Sequence, residues 1–331
     1  MIAWLVAAGV ALLPVALGDR AARRLAGASW THRSPRAALA LWQAIGLAAG
    51  LGAVGLGLVV AVAPLAAVFP HGAHTLARQI VSGPGLDGLG PVQLLALTWS
   101  AGLMSWLLIH TVRTTARTIR ERRRQRLLVD VVADHSPVHD AYVLPVAEHV
   151  AYCVPGRHRR IVLSRGTLEL LTPQELQAVL GHERAHARGH HDLALLPFAA
   201  LTHAFPWLAC ARTARQAVAV LVEMIADDHA GRAHGTLPLA RALVRMAASA
   251  SSPGRSASSP GPAASGSGPS ASSPGSAAFA LADAGVVERL QRLLTERRPP
   301  RWVPAAAYSA AGLLLSGPLA VLIAPLVCVT L

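Results

Sequence analysis

Lysine is absent from this sequence: all thirty basic residues among its 331 are arginine. That absence excludes Schiff-base lysine chemistry, a phosphate-binding loop of the G-x-x-x-x-G-K type, and an acylatable serine of the S-x-x-K type. Cysteine is scarce as well. Cys153, Cys210 and Cys328 are widely spaced and form no C-x-x-C, which argues against both a disulfide framework and a cysteine-rich zinc finger. Charge is the third shortage. Only 14% of residues are charged and 4% aromatic, while 53% are apolar and the mean hydropathy is +0.44. A soluble domain carries about 25% charged residues, so this composition excludes an ordinary soluble enzyme or a disordered tail and points to lipid.

Four apolar runs free of Asp, Glu and Arg are long enough for a hydrocarbon core of about 30 Å, which takes roughly 20 helical residues: 2–17, 37–69, 92–110 and 302–331. The first run lacks a positive n-region and an A-x-A cleavage pattern, so it reads as a helix rather than a signal peptide. Pro64 and Pro70 near the end of the second predict a tilt or an interfacial turn. Arginine counts set the orientation, because cytoplasmic loops retain positive charge. Arg20, Arg23, Arg24, Arg33 and Arg36 occupy the first connection. Arg113, Arg117, Arg120, Arg122, Arg123, Arg124 and Arg126 follow the third run, whereas residues 70–90 hold only Arg78. The expectation is a multi-pass cell-membrane protein with both termini outside and a cytoplasmic segment over 111–301. The run RTIRERRRQR reads as a topology signal facing anionic lipid head groups, not as a direct nucleic-acid patch. It accounts, with the first connection, for most of the +13 formal charge.

Within the cytoplasmic segment, VLPV at 143–146, HVAYCV at 149–154 and RRIVLS at 159–164 read as strands, with a Pro155-Gly156 turn between the last two. Then the period changes. Thr172-Pro173-Gln174-Glu175 is a capping box with proline at the first helical position. Leu176, Val179 and Leu180 continue at helical spacing toward Gly181-His182-Glu183-Arg184-Ala185-His186. Two histidines four apart on a helix share one face and can share one Zn²⁺, while the intervening glutamate can address a water activated by the metal. The residue pattern therefore predicts one zinc per chain, with Glu183 moving the proton of a peptide-bond hydrolysis.

A third ligand is needed, and two candidates fit. Glu223 stands four residues before Asp227, on one face of a second helix, so that Asp227 could orient a ligand histidine. Asp192 fits the elongated spacing His182-Glu183-x-x-His186-x-x-Gly189-x-x-Asp192, and could instead brace the end of the active-site helix. His190 and His191 read as polar residues at that helix end, with a substrate or oxyanion role as the alternative. The apolar stretch 193–210 must return to the face it left if Glu223 is to reach His182, as a re-entrant hairpin or a packed hydrophobic layer. Residues 249–278, rich in Ser, Ala, Gly and Pro, read as a flexible linker. An amphipathic helix is expected in 279–301 from Val286, Val287, Leu290, Leu293 and Leu294. The fold class expected is a mainly α membrane protein of four transmembrane helices with a cytoplasmic α+β zinc domain over 111–248.

The lead-in RRIVLSRGTLELLTPQELQAVLGHERAH, the H-A-R-G-H-H-D continuation and the E-x-x-A-D of Glu223 to Asp227 resemble the BlaR/MecR-type antirepressor metallopeptidases, membrane gluzincins of four helices. The HtpX and CAAX prenyl protease families share the lead-in and the E-x-x-A-D; three spans before the catalytic helix and one after favour the BlaR/MecR branch. The resemblance implies His182, His186 and Glu223 as zinc ligands, Glu183 as general base and acid, and Asp227 as the partner of a ligand histidine. It also implies that a strand within His149–Val154 holds an extended substrate, by edge-strand addition. The implied function is regulated cleavage of a cytoplasmic protein, such as a winged-helix repressor, or of the chain itself. Membrane-protein quality control of the HtpX kind and a non-enzymatic scaffold with a structural metal are the alternatives. With no lysine, an S-x-x-K penicillin-binding site is excluded from this chain.

Overall fold

The structure, a computed structural model, describes residues 9, 18–65, 69–82, 86, 88–156, 159–250, 285–295 and 300–327. Nearly all of the run 2–17 and of the linker 249–278 lies outside the described residues. The chain forms two units, one of residues 1–118, 193–221 and 298–331, the other of residues 119–192 and 222–297.

In the first unit, α1 (Pro35–Val62) begins with proline at its first turn, where a missing N–H costs nothing. It passes through a 3₁₀ turn at Ala63–Leu65, and Phe69 opens a separate helix, α2 (Phe69–Ser82). The predicted span 37–69 is thus shorter than its apolar run, because the chain breaks around Pro64. The third run opens α3 (Pro91–Val132), a single helix of 42 residues that does not stop at 110. Neither Gly nor Pro follows Gly102 in it, and arginine is a good helix former. Later come α6 (His191–Ala204), in this unit from residue 193, α7 (Ala209–His234), in this unit up to residue 221, and α10 (Trp302–Val327); the helices numbered between them are given with the second unit. Three described segments are long and apolar enough to cross a membrane, Pro35–Leu65, Pro91–Val132 and Trp302–Val321, the pattern of a multi-pass membrane protein. Small residues let these helices approach. A Cβ at Gly57 would stand 2.9 Å from the Ala96 carbonyl and collide with Ser100 Oγ, which donates to Val54 O at 2.8 Å. The stretch 193–210 forms α6, a turn at Phe205–Leu208 and the start of α7; Gln43 Nε2 donates to Ala194 O (2.7 Å) and Trp106 Nε1 to Ala204 O (3.2 Å).

The second unit holds a four-stranded sheet in the order β1-β2-β4-β3: β1 (Asp134–Ser136), β2 (Ala141–Leu144), β3 (Ala151–Val154) and β4 (Arg160–Ser164). β1 and β2 pair antiparallel, β2 and β4 parallel, β3 and β4 antiparallel, which leaves β3 at one edge. The strand expected at 143–146 sits two residues earlier, because Pro145 has no N–H for a ladder. On one sheet face, Ile161 and Leu163 pack with Leu176, Val179 and Leu180 of α5 (Pro173–Gly189). On the other, Val154 and Val162 pack with Val129 at the end of α3. Between sheet and α5, Ser164 caps α4 (Arg165–Leu170) by accepting from Thr167 N. Both bonds of the expected capping box are present: Thr172 N donates to Glu175 Oε2 (2.9 Å) and Glu175 N to Thr172 Oγ1 (3.4 Å). Gly235, at φ +90°, turns the chain from α7 into α8 (Thr236–Ala250). Beyond the linker, α9 (Val286–Leu294) lays Leu293 against Ala178, Ala230, Leu239 and Ala240.

Candidate metal centre

Side chains from two helices meet within the second unit. α5 buries His182 and Glu183 and presents His186 one turn later. The later part of α7 contributes Glu223 and, one turn on, Asp227. The Nε2 atoms of His182 and His186 lie 3.0 Å apart, with Glu223 Oε2 3.2 Å from the first and Oε1 3.3 Å from the second. Donors on a tetrahedral zinc at ~2.0–2.1 Å stand roughly 3.3 Å from one another, so these spacings suit one ion without rearrangement. Among the described residues His182, His186 and Glu223 form the group able to hold a metal, their ligand atoms all within 4.8 Å. Two imidazole nitrogens and one carboxylate oxygen leave a fourth position on zinc, as a catalytic rather than a closed structural site requires.

The other side of each histidine is also engaged. His182 Nδ1 lies 3.0 Å from Asp227 Oδ1, an arrangement that directs Nε2 toward the metal position. Burial disfavours a charged His182, yet its contacts with Asp227 and Glu223 overcome this and lift its pKa to about 10. Glu223 is held well below the usual carboxylate range, its burial outweighed by the hydrogen bonds from both histidines. The site is thus built to hold positive charge. His186 Nδ1 lies 3.2 Å from Nδ1 of His191, a buried residue whose pKa is pushed down to about 4 by burial and by His186. A neutral His191 can accept from the Nδ1–H of His186 and fix that ring in turn.

Asp192 stands outside the metal group; it pairs with Arg122 at 2.5 Å. That pair ties the start of α6, just past the C-cap of α5, to α3. His190 takes a left-handed conformation as the C-cap of α5, with its Nε2 3.3 Å from Arg159. The sequence reading gave His191 no contact with a ligand and missed Arg289. His191 folds back beneath His186 because Gly189 has no side chain; a Cβ there would run into the His191 ring. Arg289, on α9, donates from Nε to Asp227 Oδ2 and from a terminal nitrogen to Oδ1, both at 2.8 Å, while its other terminal nitrogen lies 3.3 Å from Glu223 Oε2. The signal for it was an arginine set on the stripe of Val286, Leu290 and Leu293.

Residues 117–252, which contain both ligand helices, match Peptidase family M48. Over this segment the chain is similar to the M48 zinc metallopeptidases. A "Protease HtpX homolog" from Thermoplasma acidophilum is 48% identical over 46 residues, which is 14% of this chain and 14% of that protein. No solved structure matches the chain. His182, Glu183, His186, Glu223 and Asp227 lie within the matched residues, whereas Arg289 lies beyond them.

Proposed function

We propose that the chain is a membrane-bound zinc endopeptidase that cleaves protein substrates on the cytoplasmic side of the cell membrane. The observation that carries this is the convergence of His182, His186 and Glu223, with Glu183 beside the first ligand on the same helix. Zinc, when bound, polarises the scissile carbonyl and makes water acidic enough to attack it near neutral pH. Glu183 would accept the proton of the attacking water and return it to the leaving amide nitrogen, which departs as an amine. β3, at the sheet edge and packed beside α5, is suited to pair with an extended substrate backbone. The twelve arginines of the two flanking connections support the cytoplasmic orientation and contact with anionic lipid.

Two uses of this chemistry are open to test. The M48 match and the HtpX homologue favour membrane-protein quality control. The resemblance to BlaR/MecR regulators supports instead the cleavage of a cytoplasmic repressor, or of the chain itself, in response to a signal. Glu183→Gln is expected to retain about one zinc per chain and to lose at least roughly a hundredfold in kcat, the scale of general acid–base catalysis. Metal content and cleavage of a test protein read the two effects separately; undiminished cleavage by the variant rejects the mechanism. Comparison of protein fragments in cells bearing wild-type or Glu183→Gln protein then separates the uses, since quality control removes misassembled membrane proteins and signalling cuts one soluble target.

A further inference from the structure

We infer that Arg289 is a positioning residue of the metal centre, delivered by helix α9 from the far side of the segment 251–284, so that the working domain extends past residue 252 to include residues 285–295. This rests on the zinc reading of the site and adds to it a residue outside the matched segment 117–252.

The argument begins with burial. Arg289 is 3% exposed and Asp227 1% exposed, and an arginine is almost never so buried unless it is paired. Here the pairing is two parallel N–H···O bonds of 2.8 Å to the two oxygens of one carboxylate, a geometry that fixes the plane of Asp227 as well as its place. The oxygen that takes the terminal nitrogen of Arg289, Oδ1, also faces His182 Nδ1 at 3.0 Å. The third nitrogen of the fork lies 3.3 Å from Glu223 Oε2, the atom nearest His182 Nε2. One guanidinium therefore touches both carboxylates that flank His182, and sets the orientation of a ligand through one of them.

The helix that carries Arg289 is docked for this purpose. Arg292 donates to Asp228 Oδ1 (2.6 Å) and to the Met224 carbonyl (3.3 Å), while Leu293 is buried against α5, α7 and α8. Val287 and Leu294, on the apolar stripe expected from the sequence, are 64% and 66% exposed instead. The buried face of α9 is the one that holds Arg289.

The test uses the full chain in detergent micelles. Zinc affinity is measured by competition with a chelator, and folding by thermal unfolding of the metal-free protein, for the wild type and for Arg289→Lys, Arg289→Met, Leu293→Ala, Asp227→Asn and Asp227→Asn/Arg289→Met. Arg289→Met is expected to weaken zinc roughly 10–100-fold, the range for partners of metal ligands. Lysine keeps the charge but not the fork, so Arg289→Lys should recover only part of that loss. Leu293→Ala loosens the same helix and should lower the unfolding temperature while leaving zinc affinity within about twofold, the level at which a side chain remote from the metal acts. Because Arg289 acts chiefly through Asp227, the double variant should lose less affinity than the two single losses multiplied together. Unchanged or tighter zinc binding by Arg289→Met overturns the proposal, as does an equal loss in Leu293→Ala or additive losses in the double variant. Should Arg289→Met fail to fold, Arg289→Lys decides: wild-type zinc affinity in that variant overturns the proposal. Zinc uptake by the wild type is measured first, and a wild-type chain without zinc rejects the site itself.

Discussion

Cys153 shows how a single half-buried group is kept out of the chemistry around it. It lies on β3, the strand packed against the zinc-binding helix, yet the metal group excludes it. Only a thiolate binds zinc well, and burial, reinforced by the negative charges of Glu183 and Asp192, pushes the Cys153 thiol from its usual value near 9 up to about 12. The raised pKa means that the neutral thiol dominates at every physiological pH and that the thiolate grows only as pH approaches 12. In a variant with Cys210 and Cys328 changed to serine, alkylation of Cys153 by iodoacetamide should therefore climb about tenfold per pH unit from 8 to 10. A rate that levels off near pH 9 contradicts this reading. At the same scale, the two histidine ligands were legible in the sequence because two histidines four apart on a capped helix have one geometric outcome, whereas spacing left the third open between Glu223 and Asp192. His191 and Arg289 were not legible, because each depends on a fold-level approach. The first rests on the space that Gly189 leaves, the second on a helix 62 positions along the chain from its partner Asp227.

Among the elements, α5 had the most legible beginning. Thr172, Pro173 and Glu175 satisfy its first turn, and the reciprocal bonds are formed as that pattern dictates. Loss of the cap in Thr172→Ala should cost about 1 kcal/mol, seen as a lower unfolding temperature in the metal-free protein. Glu175 also pairs with Arg245 of α8 at 3.3 Å, so Glu175→Ala should cost more than Thr172→Ala; the reverse order would show that the cap, not the tie to α8, governs this corner. Other boundaries were less legible for physical reasons. β1 reads Asp-His-Ser, with no strand former in it, and exists because β2 offers a partner. α3 continues past its apolar part because helical propensity does not distinguish lipid from water. On α9 the helix expected from the apolar spacing is present, but its buried face is centred on a paired arginine, which apolar spacing alone does not mark.

At the scale of the whole molecule, arginine carries the argument. Twelve of the thirty flank the first and third apolar runs, and the structure gives some of them second tasks. Arg122 pairs with Asp192 at the end of the active-site helix, and the guanidinium of Arg126 lies against Gly156. On the proposed orientation, topology and domain structure draw on the same short run, so removing the run wholesale would confuse them. Arg120, Arg123 and Arg124 are exposed on α3 and offer a cleaner test. With the wild-type chain, alkaline phosphatase inserted near residue 84 should be active, since that connection is expected outside, and a fluorescent protein inserted near residue 265 should fluoresce from the cytoplasm. Changing Arg120, Arg123 and Arg124 to glutamine removes three positive charges from within about 20 residues of the third span's end, the distance over which such charges act. The arginines of the first connection and Arg113 and Arg117 remain, so most chains should keep their orientation while a minority lose fluorescence at 265. Phosphatase activity at 265 in the wild type would invert the assignment and place the zinc site, with any substrate it cuts, outside the cell.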